Sequence, residues 1–256
     1  MGSVDAPNPD DVIITFAGSG DAFGSGGRLQ ACIHIRPPGA AAPVLLDCGA
    51  TSLTALKRCG LDPGEIGAVF LSHLHGDHFG GLPFLILDGQ FSHRTAPLTI
   101  VGPPGTNNRL QTAMECMFPG SSTVRRPFPL HVTELQPGTT GSVAHVEVTT
   151  WEVTHPSGAP ALALRLALNG KIIAYTGDTA WTPTLIQAAA GADLLITEAY
   201  YRDKPVPYHL RLADIESHHS ELASRRIVLT HMSAEMLAEA SQLTYECAAD
   251  GMTLRV

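Results

Sequence analysis

A chain of 256 residues is long enough for one large core and too short for two full domains joined by a linker. With 44% hydrophobic and 16% charged residues it can bury that core, which excludes global disorder. Its 24 acidic residues outnumber 16 basic ones, and the net charge of −8 argues against a protein whose main task is to grip long nucleic acid.

The apolar runs, such as Leu82 to Leu87, fall far short of the roughly 20 residues a membrane helix needs, so no membrane span is expected. The opening Met1 to Pro7 has neither a basic start nor an apolar stretch, which argues against a secretory signal. Cys32, Cys48, Cys59, Cys116 and Cys247 are odd in number and widely spaced, as in a reduced cytoplasmic protein. Residues 1–11 read as a flexible segment, and 12–256 as one domain.

In chain order, Val12 to Phe16 reads as a strand and Gly18 to Gly27 as a glycine-rich loop. Strands follow at Ala31 to Ile35 and Pro43 to Leu46, parted by a turn at Pro37 to Gly39. Thr51 or Ser52 can cap a helix that runs to Cys59, with Gly60 as its stop. Ala68 to Leu71 is a short buried strand that delivers the chain into Ser72 and His73. A helix is predicted over Gly80 to Gln90, a strand over Leu98 to Val101 and a helix over Thr106 to Met117. Val143 to Val153 alternates like a strand. Ala161 to Leu168 and Lys171 to Tyr175 form a hairpin about Asn169-Gly170. Helices over Thr182 to Ala190, Leu210 to Ala223 and Ala234 to Ala248 then alternate with strands over Asp193 to Thr197 and Ile227 to Thr230. Two halves of this kind suit two mixed sheets covered by helices. Between Gly89 and Leu130, Arg94, Arg109, Arg125 and Arg126 face Glu115 alone. They read as solvated arginines before they read as an anion-attracting face.

Twelve histidines stand out, and the sharpest cluster is His73-Leu74-His75-Gly76-Asp77-His78. Four ligand-type side chains in six positions, between a strand and a helix, suit Zn²⁺, Mn²⁺ or Fe²⁺. Gly76 is read as permitting the close turn that splays them.

This segment resembles the H-x-H-x-D-H hallmark of the metallo-β-lactamase fold superfamily, and further matches run in order along nearly the whole chain. Asp47, in Leu46-Asp47-Cys48-Gly49, resembles the family's early aspartate that supports the metal loop. His155, Asp178 and His231 resemble its later ligands, each at the end of a predicted strand. The resemblance implies an α/β fold, the αββα sandwich. It implies two divalent cations, Zn²⁺ before Mn²⁺ or Fe²⁺. One would be held by His73, His75 and His155, the other by Asp77, His78 and His231, with Asp178 between them and a hydroxide shared by both. It also implies a homodimer formed through the face beside the site.

Within the superfamily, Phe16-Ala17-Gly18-Ser19-Gly20-Asp21-Ala22 is similar to the start of the tRNase Z-like branch. Glu198 resembles the glutamate of that branch's H-E-A-T segment. His209, 22 residues before His231 and at the head of a predicted helix, resembles its extra histidine. The resemblance implies that Asp77 orients the attacking group. It implies that His209, held and charged by Glu198, serves the leaving group. The chain departs from tRNA-processing members in having no room for their basic arm between His155 and Asp178. It is closer to the small phosphodiesterases of the branch. A phosphodiesterase for a small or terminal phosphodiester is therefore the leading expectation, with no membrane partner and no long nucleic acid.

An ester, sulfate-ester or lactone hydrolase is the alternative, with Tyr200, Tyr201 or Tyr208 as a lactonase-type tyrosine. A tRNA 3′-processing endonuclease ranks lower. Glu198 and His209 argue against an iron dioxygenase. The full ligand set argues against a binding module with a relic site. His34, His93, His131, His145, His218 and His219 match no ligand position, and His218 and His219 are expected to be solvated on a helix.

Overall fold

The structure is a computed structural model that describes residues 11–256. The amino-terminal segment read as flexible lies outside the described residues, apart from Asp11.

Two seven-stranded sheets lie at the centre. The first runs β14 (Met252–Arg255), β1 (Ile13–Gly18), β2 (Cys32–Arg36), β3 (Val44–Leu46), β4 (Ala68–Phe70), β5 (Leu98–Gly102), β6 (Leu130–Glu134). The second runs β13 (Glu246–Cys247), β12 (Ile227–Thr230), β11 (Leu194–Glu198), β10 (Lys171–Tyr175), β9 (Ala161–Leu168), β8 (Val146–Val153), β7 (Thr140–Val143). In each sheet antiparallel pairing gives way to parallel pairing, at β3 in the first and at β10 in the second. Helices α1 (Ser52–Arg58), α2 (Gly76–Phe79), α3 (Leu82–Phe91) and α4 (Thr106–Met117) belong to the first half. Helices α5 (Thr184–Ala189), α6 (Leu212–Ser217), α7 (His219–Leu222) and α8 (Ala234–Glu239) belong to the second.

The period of two along each strand decides which layer its side chains enter. Ile14 and Phe16 of β1, with Ile33 and Ile35 of β2, meet the leucines of β9 in the core between the sheets. Leu45, Val69 and Ile100 face the other way, against Leu56, Leu85, Ile86 and Met114 of the helices. β9 shows the rule in its sequence, Ala-Leu-Ala-Leu-Arg-Leu-Ala-Leu. Its leucines fill the inter-sheet core, and Ala161 and Ala163 lie on the helix side with Leu185 and Ala188 of α5. Small side chains there let a helix pack close to the sheet.

Four strands were not visible in the sequence pattern. β6 and β7 are edge strands with no fully buried residue, so no apolar alternation marks them. The run from Val143 to Val153 is two elements, because Ala144, at φ 55°, turns β7 into β8. The predicted last helix stops at Glu239 and passes through a 3₁₀ turn, Ala240–Gln242. The chain then supplies β13, turns at Gly251 (φ 81°) and returns as β14 beside β1. The helix predicted over Leu210 to Ala223 breaks at His218 into α6 and α7, and Ala223 ends it at φ 47°.

Candidate metal centre

The site lies where strands of both sheets end. Asp47 follows β3, His73 follows β4, and His155 follows β8. Asp178 follows β10, Glu198 is the last residue of β11, and His231 follows β12. Most of these strands are parallel, so their carboxyl ends share one rim, the usual place for a site in such sheets.

The structure brings the seven residues expected as ligands into two adjoining sets. His73, His75 and His155 form one, and Asp77, His78, Asp178 and His231 the other, with potential ligand atoms in each set within 4.8 Å of one another. In the first, His155 Nε2 is 3.0 Å from His75 Nδ1. In the second, Asp77 Oδ2 lies 3.2 Å from both His78 Nε2 and His231 Nε2. Asp178 spans the ring pair, with Oδ1 3.3 Å from His78 Nε2 and Oδ2 3.4 Å from His231 Nε2.

These nitrogens are aimed from behind. Asp47, wholly buried, accepts from Ser72 N, Ser72 Oγ and His78 Nδ1 at 2.7 Å, and from the Tyr175 hydroxyl at 2.9 Å. Four donors saturate a carboxylate. The bond from His78 Nδ1 to Asp47 orients the ring and turns Nε2 toward Asp77 and Asp178. On the other side, His155 Nδ1 donates to the Tyr208 carbonyl at 2.9 Å.

Three of the seven described non-glycine residues with positive φ lie here. Asp47 (φ 58°), Tyr208 (φ 66°) and His231 (φ 53°) all hold left-handed conformations that non-glycine residues avoid. The glycine that matters is not Gly76, which begins α2 with open space around it. It is the pair Gly49 and Gly81. A Cβ on Gly49 would stand 2.1 Å from the Asp77 carbonyl oxygen, and one on Gly81 would stand 2.1 Å from the Gly49 oxygen. Bare backbone lets the loop after Asp47 press against the ligand loop, with Cys48 N donating to the His78 carbonyl at 2.6 Å. The segment read as a loop contains the short α2, and the helix predicted from Gly80 is α3, Leu82–Phe91.

Glu198 and His209 meet at the rim of the second sheet. His209 Nδ1 is 2.8 Å from Glu198 Oε2, and Glu198 Oε1 also accepts from Leu210 N at 3.2 Å. Burial and then the charge of Asp178 push Glu198 above the usual carboxylate range, against the hydrogen bond from His209. Burial alone would lower His209, but the Glu198 hydrogen bond and charge outweigh it and raise the imidazole above its ordinary value. His209 does not head a helix. It sits on the loop before α6, which begins at Leu212.

A cavity of about 210 Å³ opens over the centre, lined by His75, Asp77, His155, Asp178, His209 and His231. Its remaining walls are Ala22, Phe23 and Tyr200. Burial, followed by Asp21, Tyr201 and more distant carboxylates, pushes the Tyr200 hydroxyl up to about 12. Sequence reading passed over Phe23 as a site residue, although it stands in the glycine-rich loop that carried the branch resemblance.

The other histidines lie elsewhere. His34 is buried in β2, where desolvation pulls it down to about 4. His219 is exposed, but His218 is only half-exposed and stacks on Trp181 with centroids 3.8 Å apart. The arginine stretch is not a common face. Arg94 is buried and donates to the carbonyls of Pro63, Ile66, Ala96 and Pro97, and Arg126 donates to those of Ser121 and Val124.

The donor sets fit divalent cations. His73 Nε2 is buried with no hydrogen-bond partner, a costly state that a cation would relieve. Burial resists ionisation of Asp77 and Asp178, yet the facing imidazoles hold both well below the carboxylate range. Asp178 and Asp77 in turn outweigh burial and hold His78 well up, and His231 up to about 9. Protons thus balance this charge, and a cation taking their place must displace them.

A buried histidine–aspartate centre at the carboxyl rim of two stacked mixed sheets defines a class, the metallo-β-lactamase fold. Residues 43–232 match the family described as the β-lactamase superfamily domain, and the chain belongs to it. Ribonuclease Z of Methanothermobacter thermautotrophicus is 27% identical over 302 residues, covering 95% of this chain and 96% of that protein. The short form of human tRNase Z superimposes with a TM-score of 0.77 at 25% identity, covering 94% of this chain and 98% of the other. A diphosphatase of the PhnP family superimposes with a TM-score of 0.75 at 20% identity, covering 95% and 97%. No helix among the described residues is long and apolar enough to cross a membrane.

Proposed function

We propose that this protein is a divalent-metal phosphodiesterase acting on a small or terminal phosphodiester. The observation that carries the reading is the hydrogen bond of 2.8 Å between His209 Nδ1 and Glu198, on the wall of the cavity that the two ligand sets share. His73, His75 and His155 would hold one cation, and Asp77, His78 and His231 another, with Asp178 between them. Zn²⁺ suits this imidazole-rich set, and Mn²⁺ or Fe²⁺ are the alternatives. Bound there, such ions acidify water and neutralise developing negative charge.

The chain's own residues do the rest. Asp77 and Asp178, both held ionised, orient the attacking water. With Nδ1 committed to Glu198, His209 keeps Nε2 for the leaving oxygen, and its raised affinity for a proton suits a general acid. An imidazolium also neutralises a phosphate oxygen, which a carboxylic ester would not need. The relatives named ribonuclease Z and diphosphatase support phosphorus chemistry. The stretch from His155 to Asp178 is taken up by β9 and β10, which leaves no projecting arm to grip a tRNA body. That favours a compact substrate, as does the net charge.

A second reading, an ester or lactone hydrolase, draws on Tyr200. Its hydroxyl stays protonated at neutral pH and lines the cavity, so it can donate to a carbonyl oxygen. The test compares turnover of bis(p-nitrophenyl) phosphate, p-nitrophenyl acetate, p-nitrophenyl sulfate and a lactone by zinc- or manganese-loaded protein. Preference for the phosphodiester is expected. A higher kcat/KM on a carboxylic ester or lactone overturns the proposal in favour of the second reading.

A further inference from the structure

An exposed phenylalanine is ordinary when it stands alone on a surface. Phe23 is 84% exposed, yet it lines the cavity above the candidate metal centre. It is also held out firmly. The Asp21 carboxylate, itself buried, accepts from Phe23 N at 3.2 Å, Ser25 N at 2.9 Å and Ser25 Oγ at 2.7 Å. Gly20 N donates to the Leu29 carbonyl, and Gln30 Nε2 to the Ala22 carbonyl. Ser19 ties the base of the loop to the centre, because its carbonyl accepts from His231 N and from Thr230 Oγ1 at 3.2 Å each. The backbone that carries this ring is thus fixed at the mouth, by a loop bonded to the end of β12.

The rest of the mouth explains what such a ring is for. The floor is imidazole and carboxylate, suited to the charged phosphorus centre. A cavity of about 210 Å³ leaves the groups attached to that centre to spread over the rim. A rigid aromatic face recognises another planar ring by stacking, with little ordering cost. Resting on the phosphodiesterase reading above, we propose that Phe23 is the stacking platform for a nucleobase carried by the substrate, so that the enzyme acts on nucleotide phosphodiesters. The recognition is tolerant of base identity, since every base presents a π face.

The test uses metal-loaded protein and product-like probes. Calorimetric titration of the wild type with AMP and with ribose 5-phosphate isolates the base. AMP is expected to bind roughly 10- to 100-fold tighter, the range of base stacking on an aromatic side chain. Phe23→Ala should erase that ratio, and Phe23→Leu, which keeps bulk without a π face, should lose most of it. Phe23→Trp should keep it, with tryptophan fluorescence quenched by AMP and not by ribose 5-phosphate. Equal affinity for the two probes in the wild type, or a ratio that survives in Phe23→Ala, overturns the proposal. The two readings fail separately. Phosphodiester turnover without an AMP preference removes the platform alone. An AMP preference that depends on Phe23, in a protein that cleaves only carboxylic esters, removes the phosphodiesterase and leaves a nucleotide site.

Discussion

The two sides of the site are held in different ways. On the first sheet, the loop from His73 to His78 is mostly buried and pressed against bare glycine backbone, with Asp47 receiving four donors behind it. On the second sheet, His209 rides on a largely exposed loop whose ends are joined by backbone bonds, and its side chain is held by one carboxylate, Glu198. The first arrangement fixes several ligand atoms at once and tolerates little change. The second places a single imidazole and leaves the loop around it adjustable. Metal chemistry would then be the constant of this fold, and leaving-group chemistry the part open to variation.

Substitutions can break this contrast at graded cost. Asp178→Ala removes the carboxylate between the two sets, and is expected to strip at least one metal and reduce hydrolysis to background, as read by metal analysis and turnover. His209→Ala should keep both metals and slow phosphodiester cleavage by about 10²-fold or more, the scale of general-acid assistance. An unchanged rate would make His209 structural. Asp47→Asn keeps the left-handed backbone that asparagine tolerates. It replaces an acceptor oxygen with a donor, so metal affinity should fall about 10- to 100-fold in a competition with a chelator. Gly81→Ala, which drives a methyl into backbone oxygen, should cost about 1–3 kcal/mol in thermal or denaturant unfolding. Tyr208→Gly relieves a left-handed conformation, and stability should rise or hold within about 1 kcal/mol while kcat falls through a looser His209 loop. A Tyr208→Gly enzyme of full activity would show that the loop needs no strain to place its histidine.

Sequence exposed the rigid side more fully than the adjustable one. His73, His75, Asp77 and His78 crowd one short loop, and few functions other than metal binding need that pattern. Asp178 and His231 were singled out through the family resemblance, each at the end of a predicted strand. Support that runs through backbone left no such trace. The carbonyl of Tyr208 orients His155, but a carbonyl has no residue type to read. Gly49 and Gly81 were passed over in favour of Gly76, because closeness between loops 30 residues apart is a tertiary fact. The edge strands β6, β7, β13 and β14 escaped because half-wet strands carry no strong alternation. The Asp250-Gly251 pair, a turn signal, lies just past the predicted last helix and was not read. Phe23 was hidden by the opposite difficulty, since an exposed aromatic gains meaning only from the cavity beside it.

The pairing of β1 with β14 has a consequence for the order of events during synthesis. β1 is among the first strands made, yet one of its two neighbours is formed by residues 252–255. The Asp250 carboxylate also receives Ser19 N at 3.0 Å and Leu29 N at 2.8 Å, at the two ends of the loop that presents Phe23. Until Asp250 and β14 are made, that loop lacks its Asp250 anchor and the outer edge of β1 stays open. Contacts this distant in sequence are slow to form, and an unpaired edge is exposed to association in the meantime. The mouth of the site is therefore completed only after the strands that lead into Asp47, His73, Asp178 and His231 already exist.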